Sequence, residues 1–261
     1  MTLNELKQLE NCYQCQALFS IKVEGHFRLG EYNKVVDLIS PISDQIINAD
    51  IAIMHLRALV KLYQMDKLEK ALEQYKTMKL QWFGYYNQNL LYWAICQELY
   101  LSGKTKSLEV YAKKMRDFAA LHPDFITYEQ DMYVSSFLLG DYKTALAFVK
   151  QFSQKFGGYY ETDVVVVKVF NGDKQAGENF LSKSKPNNLK YNFGEWEYNR
   201  AKVESALGYK AQAIESLEFS HKGGTDFLWY NFQNDIFFKS LLDEPAFQEL
   251  VSVKNLSRSL K

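Results

Sequence analysis

Cys12 and Cys15 form C-Y-Q-C, the arrangement in this sequence that comes nearest to a reactive motif. On a helix, thiols at i and i+3 share one face, where they can exchange a disulfide or hold a metal. A redox pair of this spacing works in a thioredoxin-like βαβ setting, and the neighbouring residues are patterned for helix instead. A zinc site needs further ligands. Cys96 and His26 can supply them only if the fold brings them close. The simpler reading is that these are core or half-buried cysteines, and no metal or cofactor is expected.

The four histidines, His26, His55, His122 and His221, stand outside any H-E-x-x-H motif. His26 and His55 fall inside helical stretches, as packed or groove-lining residues rather than general bases. The sequence has no G-x-S-x-G elbow, G-x-G-x-x-G loop or phosphate loop. Its many carboxylates read as solvated faces. With no catalytic constellation, the chain is expected not to be an enzyme. The aromatic run Trp82-Phe83-Gly84-Tyr85-Tyr86, with Tyr92 and Trp93, could anchor a peptide, but packing around a bent connection explains it more simply.

The elements that must position these residues are helices. Hydrophobic residues make up 47% of the 261, and prolines number only four, so there is material for a large core and few interruptions. Lys plus Arg and Asp plus Glu are both 31, leaving a formal net charge of zero. A nucleic-acid binder carries a basic excess or stripe, so none is expected here. The densest basic stretch, Lys104 to Arg116, is diluted by Glu109 and reads as the solvated face of a helix. No stretch of about 18 apolar residues is present to span a membrane. Three cysteines do not make a disulfide framework, and Met1 to Glu10 lacks the pattern of a secretory signal. A cytoplasmic location follows as the expectation.

One signal recurs: a small or flexible residue, a polar residue, then a new amphipathic helix. It is centred on Gly30, Met65, Gly103, Gly140, Gly172 and Gly208, with successive spacings of 35, 38, 37, 32 and 36. Five residues on, a small or β-branched side chain stands in four copies, as Val35, Ala145, Gly177 and Ala213; Lys70 and Leu108 stand in the others. A small side chain there lets the second helix pack close to the first. The flanks repeat at helical spacing, with Leu68, Ala71, Leu72 and Tyr75 on one face and Tyr142, Ala145, Leu146 and Val149 on another.

The expected helix pairs are 12–29 with 32–47, 50–64 with 67–79, 87–102 with 105–121, 124–139 with 142–156, 159–170 with 173–184, and 191–207 with 210–222. Pro41 should end its helix early, and Pro123 should sit in a first helical turn. The valine run 163–170 favours a strand by propensity. A lone strand would have no partner among helices, so a short buried helix is expected. Ser182 to Lys190 reads as a long loop. The glycine pairs at 157–158 and 223–224 read as helix C-caps or flexible joints.

Gly140-Asp141-Tyr142 with Ala145 resembles the tetratricopeptide repeat, and Gly208-Tyr209 with Ala213 resembles it in part. Cys96, Ala58 and Ala201 suit the family's small residue before the turn. Asp235, Phe238, Leu241, Pro245, Phe247 and Leu250 are similar to the D-P-x-F-x-x-L-x-x-x-P-x-F-x-x-L tail that ends many bacterial arrays of this family, with Ile236 in place of the first proline. The resemblance implies an all-α fold over residues 1–261: a right-handed superhelical solenoid of about six helix-turn-helix repeats. Residues 223–252 would form a C-terminal cap in which Trp229 and its aromatic neighbours cover the last pair.

The resemblance also implies a non-catalytic module that holds a protein or peptide partner in a concave groove lined by the first helix of each pair. Taking the groove positions ten and six residues before the turn gives Ser20 and Glu24, His55 and Leu59, Trp93 and Gln97, Gln130 and Val134, and Tyr198 and Lys202. The expected binding residues are therefore His55, Trp93, Gln97, Gln130, Tyr198 and Lys202. The tail supports an alternative, the sensing portion of a bacterial transcriptional activator, cyclase or kinase.

Overall fold

A computed structural model describes residues 13–46, 48–80, 88–158, 160–183, 194–224 and 232–252. Cys12, the run 82–86, Pro186 and Trp229 lie outside the described residues, as does the side chain of Cys15. The described chain is helical, with no strand among the described residues. Its α-helices are α1 (Tyr13–Arg28), α2 (Tyr32–Ile39), α3 (Ala49–Lys61), α4 (Met65–Thr77), α5 (Asn89–Leu101) and α6 (Thr105–Leu121). There follow α7 (Tyr128–Leu138), α8 (Tyr142–Lys155), α9 (Glu161–Phe170), α10 (Lys174–Leu181), α11 (Glu195–Leu207), α12 (Lys210–Lys222) and α13 (Pro245–Leu250). The chain divides within α6 into two compact units, residues 1–115 and 116–261.

In the first unit α1 packs on α2 and α3, α2 on α3, and α3 on both α4 and α5. In the second, α7 packs on α8, α8 on α9, α9 on α10 and α11, and α11 on α12. Helices thus pack neighbour to neighbour. Burial follows the apolar periodicity: Leu68, Ala71, Leu72 and Tyr75 form the inner face of α4, and Ala145 and Val149 that of α8. The valine run is α9, with Val166, Val167 and Val169 buried. Local β propensity yields there because three of the valines are buried while helical hydrogen bonds satisfy the backbone. Pro41 ends α2: the chain tightens into a 3-10 turn, Ser40–Gln45.

Pro123 is placed differently from the expectation. It precedes α7 by several residues, inside a turn closed by Phe125 N–H donating to His122 O at 3.1 Å. That is the second position of a β-turn, which proline favours. Phe125 and Phe118 both stack on His122 and hold the turn against α6.

The joints within pairs share one construction. At Gly140, the N–H donates to Phe137 O at 3.0 Å and Asp141 N–H donates to Ser136 O at 2.9 Å, the paired bonds of a Schellman cap. Gly30, Gly103, Gly172 and Gly208 repeat the pattern, each with positive φ. In the second pair the left-handed residue is Tyr63 (φ 56°), whose N–H donates to Val60 O at 3.0 Å while Gln64 N–H donates to Leu59 O at 2.9 Å. The turn residue of that pair is therefore Tyr63 and not Met65. This also explains Lys70 standing at the close-packing position: the fifth residue after Tyr63 is Leu68, which is buried like Val35, Leu108, Ala145, Gly177 and Ala213.

The tail closes the second unit. Phe232, Phe238, Leu241 and Phe247 are buried with Ala201, Ala213, Ile214 and Leu217 of α11 and α12. Asp235 caps the 3-10 segment Ile236–Leu241, its Oδ1 accepting Phe237 N–H at 2.8 Å. Ser205 of α11 donates to Phe237 O at 2.7 Å and ties the segment down.

Candidate functional site

The two-residue shift at Tyr63 decides which face of α3 is open. Two residues turn a helix by about 200°, nearly to its opposite side. His55 and Leu59, assigned from the wrong turn residue, therefore belong to the core. His55 is 3% exposed; its Nδ1 is 2.8 Å from Tyr75 Oη and its Nε2 is 3.4 Å from Ser40 Oγ. Burial, helped by the charge of Lys67, lowers its pKa to about 4, so the ring is neutral. His55 is thus packed in the core rather than on the open face of α3.

Counted from Tyr63, the positions ten and six residues earlier are Ile53 and Arg57, both only partly buried on a helix that is otherwise mostly buried. The corresponding residues elsewhere are Ser20 and Glu24 on α1, Trp93 and Gln97 on α5, and Tyr198 and Lys202 on α11, and all of these are partly buried too. On α7, Gln130 is partly open but Val134 is buried; on α9, Thr162 and Val166 are both buried.

In the first unit Arg57 leads into an ion cluster. Its Nε donates to Glu98 Oε1 at 2.7 Å, and Lys61 Nζ is 2.7 Å from Glu98 Oε2. Glu98 is fully buried. Arg57 also lies over the Phe27 ring, 4.8 Å from its centroid. Two cations face one carboxylate, so the cluster carries a local charge of +1. Trp93 and Gln97 stand one turn apart on α5. Cys96 on the same helix is buried, which pushes its thiol pKa far up and leaves it a poor nucleophile.

In the second unit the structure joins Tyr198 and Lys202 to residues from other helices. Lys202 Nζ lies 4.9 Å from the Tyr198 ring centroid and 5.3 Å from that of Phe237. It stands between two carboxylates, 3.4 Å from Asp163 Oδ1 and 3.8 Å from Asp235 Oδ2. Tyr133 donates to Asp163 Oδ2 at 3.3 Å, and Tyr198 donates to Asp235 Oδ2. The side chains of Lys202, Asp163 and Asp235 are 14%, 14% and 15% exposed. Burial first, then the nearby carboxylates, pushes the Tyr133 and Tyr198 phenols well above their usual pKa, so both remain protonated donors. Burial and Asp163 raise Tyr160 as well, with Lys202 opposing. The cluster can hold charge and offer aromatic faces. Gln130 lies one turn before Tyr133 on α7.

Asp163, Tyr133, Asp235 and Phe237 were not picked out as site residues from the sequence, nor were Arg57 and Glu98. Asp163 is hidden at the head of the valine run, and Asp235 was read only as part of the tail. Among the described residues no group of three or more His, Cys, Asp or Glu could hold a metal ion, and no helix is long and apolar enough to cross a membrane. On the basic stretch, Lys113 pairs with Glu109 at 2.6 Å and Lys114 with Glu69 at 3.3 Å. Comparisons with known protein families, with curated proteins and with solved structures each gave no match.

Proposed function

We propose that this chain is a tetratricopeptide-like right-handed solenoid acting as a non-catalytic binding module, with a protein or peptide held along the first helices of its pairs. One observation carries the reading. The positions ten and six residues before the turn stay partly open on α1, α3, α5 and α11, and on α3 and α5 they do so while their helical neighbours are largely buried. Open positions that recur on equivalent helices within each unit suit an extended chain that meets one pair after another. These positions are chemically mixed, with Trp93, Gln97, Gln130, Tyr198 and Lys202 joined by Ile53 and Arg57. Such a surface recognises a peptide by aromatic and amide contacts together with local charge. No cofactor enters this reading, and a cytoplasmic location accords with it.

The test is binding of fluorescein-labelled random-sequence nonapeptide pools to the full chain, followed by anisotropy. Support is saturable binding that Trp93→Ala combined with Gln130→Ala weakens and that Lys106→Ala, on the exposed face of α6, leaves alone. Absence of saturable binding, or equal binding by both variants, would overturn the reading.

A second reading makes the module the sensing portion of a bacterial regulator. It is favoured by the tail, whose Phe238, Leu241 and Phe247 fold onto α11 and α12 as a cap. A gene neighbourhood without any regulator counts against it.

A further inference from the structure

The two ion clusters differ in the length of the contacts that reach their carboxylates. Glu98 is met at 2.7 Å by both Arg57 and Lys61. Asp163 makes only long contacts, 3.3 Å from the Tyr133 hydroxyl and 3.4 Å from Lys202 Nζ. A charge-assisted N–H···O bond is normally about 2.7–2.9 Å long. Lys202 is shared, since it also faces Asp235 at 3.8 Å, and Asp235 already accepts the Tyr198 hydroxyl and the Phe237 N–H. Two carboxylates against one ammonium leave a local charge of −1. The aromatic faces of Tyr198 and Phe237 beside them already hold an ammonium. Carboxylates together with ring faces are the chemistry that receives a cation.

Resting on the peptide-binding reading above, we propose that the Tyr133–Asp163–Lys202–Asp235–Tyr198 cluster is the subsite for a lysine or arginine side chain of the bound peptide. The incoming cation takes Asp163, and Lys202 turns to Asp235. An acidic peptide side chain is disfavoured, because it would meet two carboxylates across one neutralised ammonium. Each charged group is only about 15% exposed. A long unbranched stem with its charge at the tip suits groups so little exposed. The ring faces then hold the stem, and the carboxylate fixes the tip.

The experiment uses the full chain and two nonapeptide pools, one with lysine fixed at the centre and one with glutamate. The lysine pool should bind more tightly, and added salt should narrow the difference. Asp163→Asn, which keeps shape and removes charge, should weaken the lysine pool about tenfold and leave the glutamate pool little changed. Lys202→Met, which removes the competing ammonium, should tighten the lysine pool instead. Opposite effects from two substitutions in one cluster cannot come from a general loss of folding. If both pools bind wild type equally, or Asp163→Asn leaves the preference intact, the subsite is wrong while the peptide-binding reading stands. If neither pool binds, both fall. If free n-butylamine at millimolar concentration displaces all bound lysine pool, the cluster is a site for small amines and the peptide assignment is overturned.

Discussion

Gly177 of α10 faces Val169 of α9 so closely that a Cβ built on it would stand 2.9 Å from Val169 Cγ2, and 3.0 Å from Leu207 Cδ1 of α11. Ala in place of Gly within a helix ordinarily gains up to about 1 kcal/mol, whereas overpacking a filled core costs about 1–3 kcal/mol. Val169 is branched at Cβ and yields little. Gly177→Ala should therefore destabilise the protein by about 1 kcal/mol. Gly25 on α1 has open space around its Cβ position. Gly25→Ala should stabilise by about 0.5–1 kcal/mol. Urea unfolding of the two variants checks the opposite signs; a stabilised Gly177→Ala would show that the three helices are not tightly packed there.

His55 makes stability depend on pH. Its folded-state pKa is depressed to about 4 from an ordinary value of 6.5. The unfolded chain thus binds the proton more readily between those values. The stabilisation is complete above about pH 6.5 and is lost as pH falls towards 4, amounting to roughly 3 kcal/mol by then. Urea midpoints across this range should fall more steeply for wild type than for His55→Gln. Parallel curves would mean the ring is accessible to solvent.

Removing one member of a buried ion cluster costs more than removing all of it. Glu98→Gln leaves Arg57 and Lys61 facing a neutral group and should cost about 3 kcal/mol. The triple change Arg57→Met, Lys61→Met and Glu98→Met should recover most of that. Thermal or urea unfolding compares them, and a harmless Glu98→Gln would contradict the burial of this carboxylate.

Tyr63 holds a left-handed conformation that costs a non-glycine residue about 1–2 kcal/mol. Its ring offsets part of this, with Lys104 Nζ 4.7 Å from the centroid. Tyr63→Gly should stabilise by about 0.5 kcal/mol once the lost ring contact and the freer unfolded chain are counted. Chemical denaturation is the measurement, and a clear destabilisation would place the turn elsewhere.

The cap hangs on Ser205, whose hydroxyl donates to Phe237 O at 2.7 Å and lies 2.9 Å from Ser240 Oγ. Ser205→Ala removes the buried hydroxyl that donates to Phe237 O and should cost about 1–2 kcal/mol. Hydrogen exchange should rise first in residues 232–250. Uniform acceleration over the whole chain would show that the cap does not open on its own.

The helix pairs were legible because their punctuation is local. Gly140-Asp141-Tyr142 states the turn, the capping carboxylate and the first apolar residue in three consecutive letters, and Asp141 Oδ1 does accept Thr144 N–H at 3.1 Å. The tail was legible through its resemblance to a known tail pattern, and Phe238, Leu241 and Phe247 are indeed buried against the last pair. At Tyr63 the reading slipped because an aromatic residue occupies a place that glycine takes elsewhere, and Met65-Asp66 imitated the missing signal two positions later. One slip of two residues exchanged Arg57 for His55. Of the cluster around Asp163, only Tyr198 and Lys202 were legible. Asp163 and Lys202 are 39 residues apart, and nothing in the letters around either announces the other.

Every helix-pair joint closes on hydrogen bonds that reach back no more than five residues. Little chain entropy must be surrendered before such a bond can form. Each hairpin can therefore find its register early, before distant parts of the chain arrive, and topology of this kind favours rapid folding. The delayed step should be the docking of residues 232–250, whose carbonyl at Phe237 must wait for the Ser205 hydroxyl more than thirty positions upstream.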